Sequence, residues 1–504
     1  MTTRGALIEG AKHPLPADPY DVVVIGAGVY GLCVGYELRR LRPDARVLVV
    51  EDNTIPGEGI TVNTGGIVRS CYSNRDVAVA SSFGQPYFAD PTSTMQLRDP
   101  VHTGFVPSGW SRVVNESETP GIASELQRIV ATADELGIPG VWSATREEWL
   151  ARLDAGRAEN VRRLLDLDDI THVLVDEHGG YADGGTTLLA FLAACLEHGV
   201  DVVTQCTIRG FVRTAGEVEG VRYERWSRGG ADAGDDGRRI VSEGEVACDT
   251  VVVAAGAGSR RLLEQECGLR MPTLPTYHQT PMVENTSSVG FTETAYARTA
   301  RDGSGAPRTF EVHTVDVPVI SHWRDLYFHA EGSGITVGAH HRELHDEDYV
   351  PRGGMIGDGP DGIEVGLSQV LVDKILENLD YFPALGGDGL RLGRRPTDVP
   401  GGFYVMNPEE LPFEGPVPGT NDRVHYIGSG SGTGFKLGPG LAHLLAQRLT
   451  GVPREERLVP GDTLSVERNR YFYPLATTES ELRQLFDPAS GRFRHMGASG
   501  IVAS

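Results

Sequence analysis

Apolar and polar positions near the start of the chain follow a pattern that predicts a strand, a helix and a second strand. An apolar run at residues 22–25 leads into a glycine turn at residues 26–31, and a helical periodicity follows the turn. A second apolar run at residues 47–50 stops at Glu51. The lengths of these segments and the spacing of the glycines are typical of a βαβ unit that binds a nucleotide.

Each glycine of this turn has a physical role in such a unit. Gly26 permits the tight turn, Gly28 lets the backbone approach a pyrophosphate, and Gly31 lets the helix pack closely on the strand. The free N–H groups at the helix N-terminus attract phosphates. Glu51 is placed to bind a ribose 2′-hydroxyl, and its charge would repel the 2′-phosphate of NADP. FAD and NAD therefore remain as candidate cofactors.

The same succession of strand, glycine turn and helix returns twice along the chain. An apolar strand at residues 250–254 runs into a second glycine turn at residues 255–258, and residues 424–450 repeat the theme. Three such turns, far apart in sequence, predict a nucleotide-binding domain assembled from separate segments. Residues 124–155, between the first two turns, have a largely helical pattern.

Residues 265–395 differ from the rest in having many prolines and short isolated strands, which favours a sheet-based substrate domain. We therefore predict an α/β protein with a discontinuous Rossmann-like nucleotide-binding domain and an α+β substrate domain built on a mixed antiparallel sheet. The predicted boundaries are a flexible lead-in at 1–19, nucleotide-binding segments at 20–85, 170–264 and 390–455, substrate-domain segments at 86–169 and 265–389, and a C-terminal extension at 456–504.

Composition and charge narrow the class of protein. The 504 residues carry a net charge of −23, which disfavours nucleic acid and anionic membrane surfaces as partners. Apolar runs are too short for a transmembrane helix, the N-terminal segment lacks the apolar core of a signal peptide, and the 6 cysteines show no CxxC spacing. We therefore expect a cytoplasmic protein with reduced thiols and no metal site, and a homo-oligomer is one alternative for its assembly.

Five motifs, taken in order, resemble those of a known family. They are the turn at 26–31 with Glu51, NTGGIVRS at 63–70, GGYADGGTTL at 179–188, VVVAAGAGS at 251–259 and GSGSGTGFKLGPG at 428–440. In this order they resemble the D-amino-acid oxidase superfamily of FAD-dependent oxidoreductases, and within it the branch of monomeric sarcosine oxidase, glycine oxidase and dimethylglycine dehydrogenase. The resemblance covers residues 20–455 and implies FAD rather than NAD.

The resemblance also implies which residues bind FAD. They lie in the first glycine turn, at the end of its second strand, in the flavin-proximal loop at 63–70, in a later strand, in the second glycine turn and in the closing loop at 428–440. These residues are Gly26, Gly28, Tyr30, Gly31, Glu51, Asn63, Thr64, Gly65, Gly66, Ile208, Ala255, Gly256, Gly432, Thr433, Gly434, Phe435 and Lys436.

Four residues are implied on the substrate side of the flavin. Arg69 and Lys436 correspond to cations that hold the substrate carboxylate, and guanidinium and ammonium groups suit that role. Tyr404 and His340 correspond to an active-site tyrosine and histidine. Each has an ordinary alternative, because isolated arginines and lysines are usually solvated and single histidines and tyrosines usually serve structure.

Four positions depart from the pattern of the sarcosine oxidase branch, and one of them is Thr433, which replaces a common histidine in the closing loop. Thr336 stands where these oxidases carry a lysine that activates dioxygen, and a threonine supplies no positive charge. Gly402 falls near the cysteine that tethers FAD covalently, which implies non-covalent FAD. Gly184 replaces the usual proline after Asp183. The departure at Thr336 leaves open whether dioxygen or another acceptor takes the electrons.

These residues lead us to expect oxidation of the C–N bond of a carboxylate-bearing amine or amino acid, by hydride transfer to flavin N5 and hydrolysis of the imine. Two alternatives stay open. One is a flavin-dependent tailoring oxidase or monooxygenase acting on a larger molecule, and the monooxygenase would consume NAD(P)H. The other is a non-catalytic, FAD-bound assembly protein. His322, Arg324 and Tyr277 are further candidates for the substrate pocket.

Overall fold

The computed structural model describes residues 15, 19–229, 237–280, 282–283, 291–301, 306–331, 334–339, 381, 401–452 and 472–485. The strands of these residues are β1 (Tyr20–Ile25), β2 (Val47–Val50), β3 (Ile67–Val68), β4 (Trp110–Val114), β5 (Val141–Thr145), β6 (His172–Asp176), β7 (Gly180–Tyr181), β8 (Asp201–Val203), β9 (Cys206–Thr214), β10 (Glu217–Arg228), β11 (Arg238–Val253), β12 (Leu269–Arg270), β13 (Leu274–Gln279), β14 (Met282–Val283), β15 (Glu293–Arg301), β16 (Pro307–Val315), β17 (Val319–His322), β18 (Leu326–Glu331), β19 (Gly334–Ala339), β20 (Gly401–Met406), β21 (Phe413–Pro416), β22 (Val424–Gly428) and β23 (Tyr473–Pro474). Their helices are α1 (Val29–Leu41), α2 (Arg75–Ala89), α3 (Pro91–Thr94), α4 (Ile122–Leu136), α5 (Arg146–Arg152), α6 (Ala155–Leu164), α7 (Gly184–Glu197), α8 (Gly258–Cys267), α9 (Gly434–Thr450) and α10 (Glu479–Gln484), with a 3₁₀ turn at Thr61–Asn63.

The first sheet is built around the predicted βαβ unit. Its strands follow the order β21-β22-β11-β1-β2-β8, and all neighbours are parallel except β21 with β22. Valines dominate β1, β2 and the end of β11 because both faces of the parallel sheet are buried, one against α1, α7 and α9 and the other largely against strands β9 and β10. Strands β9 and β10 continue the first half of β11 as an antiparallel meander. The carboxyl ends of β1, β11 and β22 lie side by side, so the three glycine turns meet at one edge.

The second sheet has the order β14-β19-β18-β17-β4-β6-β5, and only β17 and β4 are parallel. Val113 and Phe328, on one face, share a core with Trp149 of α5. The register places Trp110, Tyr327 and Thr336 on the opposite face. That face lies toward the first sheet, since Trp110 belongs to the core formed by α1 and α9. The predicted fold class is confirmed.

The predicted helix over residues 124–155 is wrong in its middle. Helix α4 ends before Gly137, and residues 141–145 form β5, which pairs along its length with β6. Thr145 then starts α5 with a capping box that it forms with Glu148. The pairing with β6 decides the conformation of β5, and a pattern read along the chain does not contain that contact.

The domain boundaries stay a prediction. Strand β6 belongs to the second sheet, although it lies in the segment at 170–264 that the sequence assigns to the nucleotide-binding domain. Almost all of the lead-in at 1–19 and most of the extension at 456–504 lie outside the described residues.

Three further features of the described ranges bear on the sequence expectations. No helix there is long and apolar enough to cross a membrane. No group of three or more metal-ligating side chains is placed there to hold an ion. All 6 cysteines are free thiols, and only Cys267 is partly exposed.

A buried hydrogen bond of the Glu37 carboxylate joins α1 to α9 beside the glycine turns. The Glu37 carboxylate accepts a hydrogen bond from Arg40 Nη2 at 2.7 Å and lies 2.8 Å from His443 Nδ1. The Tyr87 hydroxyl also donates to it. Burial acts to raise the pKa of Glu37, but the hydrogen bond with His443 and the charge of Arg40 outweigh burial and lower it. The carboxylate therefore stays charged and fastens the two helices.

Substitution Gly31→Ala should destabilise the protein, because a Cβ at this position would lie 1.8 Å from Gly26 O. Helix α1 would have to move away from the turn, and overpacking of this kind costs about 1–3 kcal/mol. The midpoint of thermal unfolding measures the effect. Gly59→Ala is the matched control, because a Cβ there meets no atom within 4 Å. Equal midpoints for the two variants would contradict the close packing.

Candidate active site

The first and second glycine turns are in direct backbone contact. Gly26 has a φ of +104°, and a Cβ on it would lie 2.6 Å from Ala254 O. Ala255 and Gly256 follow that contact, and a Cβ on Gly256 would lie 3.2 Å from Ile60 Cδ1. Helix α1 starts directly after Gly28 with no acidic residue in its first turn. Its N-terminus therefore presents backbone N–H groups and a positive dipole to an anion.

Glu51 is buried at the end of β2, beside the same turn. Its two carboxylate oxygens accept hydrogen bonds from Ala27 N and Asn53 N, each at 2.9 Å. Burial raises the pKa of Glu51, and the backbone N–H groups act against that rise. The Glu51 carbonyl accepts a hydrogen bond from Cys206 N at 3.0 Å, so β9 begins here. Ile208 is two residues further along β9 and half-buried.

The predicted flavin-proximal loop follows the 3₁₀ turn Thr61–Asn63. Gly66 has a φ of +63°, and a Cβ on it would lie 1.8 Å from Ala182 O. Gly66 N also donates to Thr64 Oγ1 at 3.2 Å. A Cβ on Gly184 would lie only 2.2 Å from the Thr61 carbonyl oxygen. This contact accounts for a residue without a side chain where the family pattern has proline.

The closing loop between β22 and α9 has a strained backbone that a buried asparagine holds. Ser429 and Ser431 adopt φ values of +56° and +41°, which are uncommon for residues with a side chain. Asn407 is fully buried, its Nδ2 donates to Ser429 O at 3.0 Å, and its backbone N donates to Ser431 Oγ at 3.2 Å. The sequence did not indicate Asn407, because only the folded loop brings the two segments together.

Tyr30 of α1 packs against the closing loop. A Cβ on Gly434 would lie 2.7 Å from the Tyr30 hydroxyl oxygen. Thr433 Oγ1 donates to Gly430 O at 2.7 Å, and Phe435 is buried. Helix α9 begins at Gly434 with no acidic residue in its first turn, so its N-terminus also favours an anionic group.

Arg69 and Lys436 are buried at the meeting point of the flavin-proximal and closing loops. The guanidinium carbon of Arg69 lies 4.1 Å from the ring centroid of Tyr72 and 4.5 Å from that of Trp110. Burial and the charge of Arg69 lower the pKa of Lys436 to about 7. Among the described residues, none forms an ion pair or hydrogen bond with the Lys436 ammonium. Two cations placed together in this way favour a bound anion.

Two tyrosines bridge the flavin-proximal and closing loops. A Cβ on Gly432 would lie 2.7 Å from the Tyr404 ring, and Tyr404 shares a hydrogen bond with Tyr327. The Tyr327 hydroxyl lies 3.7 Å from the position of a Cβ on Gly65. Burial raises the pKa of both tyrosines. No sequence motif singles out Tyr327, although alternate polar positions along β18 mark one face of that strand.

Thr336 is 3% exposed, and its Oγ1 donates to Glu331 Oε2 at 3.1 Å. It is in register with His329, whose ring centroid lies 4.7 Å from that of Tyr181. Burial lowers the pKa of His329, so the imidazole is neutral at neutral pH. The edge predicted to carry an oxidase lysine thus presents a threonine bonded to a carboxylate. The predicted site residue His340 lies outside the described residues.

Two further pocket candidates, His322 and Arg324, are held by contacts outside this group of residues. His322 pairs in register with Val113, so it points away from Tyr327 and Thr336. Its ring stacks on Trp323 with centroids 3.7 Å apart. Arg324 forms an ion pair with Glu118 at 2.5 Å. Tyr277 belongs to β13, where it is in register with Phe403 of β20, and its side chain lies outside the described part of the structure.

The turns, helix N-termini and buried acid of the first sheet define a dinucleotide-binding oxidoreductase. A family model described as FAD dependent oxidoreductase matches residues 21–448, and the chain belongs to this DAO family. FAD is its cofactor. The residues fit that cofactor, because a side chain on Gly26 or Gly31 would enter the backbone contacts that shape the phosphate turn.

Known proteins with similar sequence or structure agree with this family. The beta subunit of sarcosine oxidase from Arthrobacter sp. is 26% identical over 265 residues, which are 52% of this chain and 56% of that subunit. The chain therefore spans little more than half the length of this curated relative. L-proline dehydrogenase from P. horikoshii has a TM-score of 0.62 at 18% identity, covering 88% of this chain and 96% of that one. L-amino acid deaminase from Proteus vulgaris has a TM-score of 0.60 at 18% identity, covering 91% and 96%.

Binding of a simple carboxylate should weaken as the pH rises through about 7. The Lys436 ammonium is charged below its pKa of about 7 and neutral above it, so an anion loses one of two cationic partners. Titration of the FAD-bound protein with methoxyacetate, which has no titratable amine, measures this effect through the flavin spectrum. Lys436→Met should bind more weakly and show a flat profile over the same pH range. A variant with the wild-type profile would contradict the assignment to Lys436.

Proposed function

We propose that the protein oxidises the C–N bond of an amine that carries a carboxylate. The observation that carries this proposal is the pair of buried cations, Arg69 and Lys436, between two loops of the FAD domain. Placing two like charges together in the interior is costly unless an anion joins them. Sarcosine oxidase, L-proline dehydrogenase and L-amino acid deaminase are named for compounds that combine an amine with a carboxylate. These names support a carboxylate as the anion.

Arg69 would bind the substrate carboxylate, and Lys436 would add a second charge. A guanidinium presents a planar set of N–H donors that matches the two oxygens of a carboxylate. The rings of Tyr72 and Trp110 hold the Arg69 guanidinium in place, so little freedom is lost when the substrate binds. A substrate held by its carboxylate presents its amine carbon in one orientation, and orientation of this kind lowers the barrier to reaction.

The same two cations would act on the substrate amine. Positive charge in a buried site disfavours an ammonium ion, so the amine binds in its uncharged form. FAD, when bound, supplies the hydride acceptor. Tyr404 and Tyr327 keep their protons at neutral pH because burial raises the pKa of both. They share a hydrogen bond between the flavin-proximal and closing loops.

We propose that the chain holds FAD without a covalent bond. Glu51 would bind the ribose, and the N-termini of α1 and α9 would face the pyrophosphate and the flavin ring. Gly402 has no thiol to offer at the position of the family's tethering cysteine. Cys71, next to the flavin-proximal loop, is fully buried, and burial raises the pKa of its thiol to about 12. A thiol that stays protonated is a poor nucleophile.

We also propose that the electron acceptor is a molecule other than dioxygen. Thr336 Oγ1 is bonded to the Glu331 carboxylate at 3.1 Å, so this edge of the site carries negative charge rather than a cation. Reduction of dioxygen develops negative charge, which a neighbouring carboxylate disfavours and an ammonium would stabilise.

Anaerobic mixing of the FAD-bound protein with primary, N-methyl and cyclic amino acids should bleach the flavin absorbance without added NAD(P)H. Arg69→Ala should keep FAD and raise the substrate concentration for half-maximal bleaching by about 10- to 100-fold, which is the worth of a charged hydrogen bond. Arg163→Ala, at an ion-paired surface site, is the control. An unchanged half-maximal concentration in Arg69→Ala would show that Arg69 does not bind the substrate carboxylate. Bleaching only with NAD(P)H would favour the monooxygenase alternative.

Re-oxidation of the substrate-reduced protein in air should be slow in the wild type. Introducing Thr336→Lys together with Glu331→Gln should speed it by about tenfold or more, because an ammonium replaces a carboxylate where charge develops. Stopped-flow recovery of the flavin absorbance measures the rate, and Thr336→Met with Glu331→Gln is the uncharged control. Fast wild-type re-oxidation that neither double variant changes would show that these positions do not set the acceptor.

A further inference from the structure

A half-buried arginine, Arg298, lies on a hairpin beside the site and has no acidic partner in the described part of the chain. Strands β15 and β16 pair along their length, and the exposed positions Ala295 and Ala297 alternate with the inward positions Tyr296 and Arg298. Among the described residues, no carboxylate lies within 4.0 Å of the Arg298 guanidinium. Its Nη2 is buried without a hydrogen bond to any described residue, and its Nη1 donates to Ala297 O at 2.9 Å.

Tyr181 connects this hairpin to the active site. Its hydroxyl lies 3.2 Å from Thr314 Oγ1 of β16, which docks the hairpin, and its ring packs on His329. Burial raises the pKa of Tyr181 to about 12, and the charge of Arg298 acts against that rise. In the β3–β7 pair, Tyr181 is opposite Ile67, two residues before Arg69. A rise of about 3.3 Å per residue places Arg69 about 7 Å along the chain from that register position.

The groups around Arg298 do not neutralise it. The guanidinium carbon lies 5.8 Å from the Tyr296 ring centroid, and burial raises the pKa of that tyrosine. Burial and the charge of Arg298 lower the pKa of His102, so this imidazole is also neutral. The charge of Glu331 raises the pKa of Tyr181, and the Glu331 carboxylate already accepts a hydrogen bond from Thr336. A partly desolvated guanidinium that no described carboxylate contacts favours a bound anion.

We propose that Arg298 binds a second carboxylate of the substrate, so that the protein prefers amines with two carboxylates. This inference rests on the proposed function, in which Arg69 and Lys436 bind the first carboxylate. Tyr181 contacts the hairpin that carries Arg298 and pairs with the strand that leads to Arg69, so we place the two carboxylates at the two ends of a short molecule. Iminodiacetate and the N-carboxyalkyl amino acids have this form.

Two matched ligands that cannot be oxidised test the second carboxylate directly. Methoxyacetate and oxydiacetate differ by one carboxylate, and isothermal titration calorimetry of the FAD-bound protein compares their dissociation constants. The wild type should bind oxydiacetate about 10- to 100-fold more tightly, as expected for a charge-assisted contact. Arg298→Gln should remove that preference and leave methoxyacetate binding unchanged, and Arg298→Lys should restore part of it.

Arg308→Gln is the control on the same hairpin, because Arg308 is exposed to solvent, and it should keep the wild-type preference. Arg298→Gln should also unfold no earlier than the wild type, since it removes a half-buried charge that no described carboxylate contacts. Equal affinity of the wild type for the two ligands would overturn the inference, as would a preference that survives in Arg298→Gln.

Anaerobic reduction by sarcosine and by iminodiacetate separates this inference from the function on which it rests. We expect both to bleach the flavin, with iminodiacetate effective at about 10-fold lower concentration or less in the wild type and not in Arg298→Gln. Bleaching by sarcosine with no advantage of iminodiacetate would overturn the inference and keep the proposed function. Arg298-dependent binding of oxydiacetate without bleaching by any amine would overturn the proposed function and keep the anion site.

Discussion

The arrangement of the whole site depends on backbone contact between glycine turns at the carboxyl ends of parallel strands. The first turn touches the second through Gly26 and Ala254, and it touches its own helix through Gly31. A Cβ at either glycine would push these elements apart, because the nearest atoms are backbone carbonyl oxygens that cannot rotate away. This contact fixes the positions of the helix N-termini and of the loops that follow the strands.

A second contact fixes helix α9, near the end of the chain, relative to helix α1. Glu37 on α1 and His443 on α9 meet at 2.8 Å in a fully buried contact, and Arg40 completes the charge balance. Lys436 lies in the first turn of the same α9. The packing of these two helices therefore sets the distance between the phosphate turn and the buried ammonium. Removing one partner of the contact would leave an uncompensated charge in the interior.

Around this frame, the proposed substrate site contains three basic side chains, two of them buried. Arg69 and Lys436 are buried together, and Arg298 has no carboxylate near it among the described residues. Such an arrangement lowers the stability of the protein without ligand, and the same cost becomes binding energy when a carboxylate enters. Thr336 and Glu331 give the opposite charge to the edge where a sarcosine oxidase would carry a lysine. The site is thereby suited to recognise anions at the carboxylate end and is unsuited to stabilise one at this edge.

The sequence by itself determined the features that follow from short-range chemistry. Glycines at fixed spacing, an acid after a buried strand, and the order of five motifs were enough to predict the FAD domain and the two loops that contain Arg69 and Lys436. The roles assigned to those residues remain predictions. Tertiary structure alone decided the contacts between distant segments, namely Tyr327 with Tyr404, Asn407 with the closing loop, Glu37 with His443, and β5 with β6. The physical reason is that strand register and helix packing choose these partners, and neither is encoded in the pattern around a single residue.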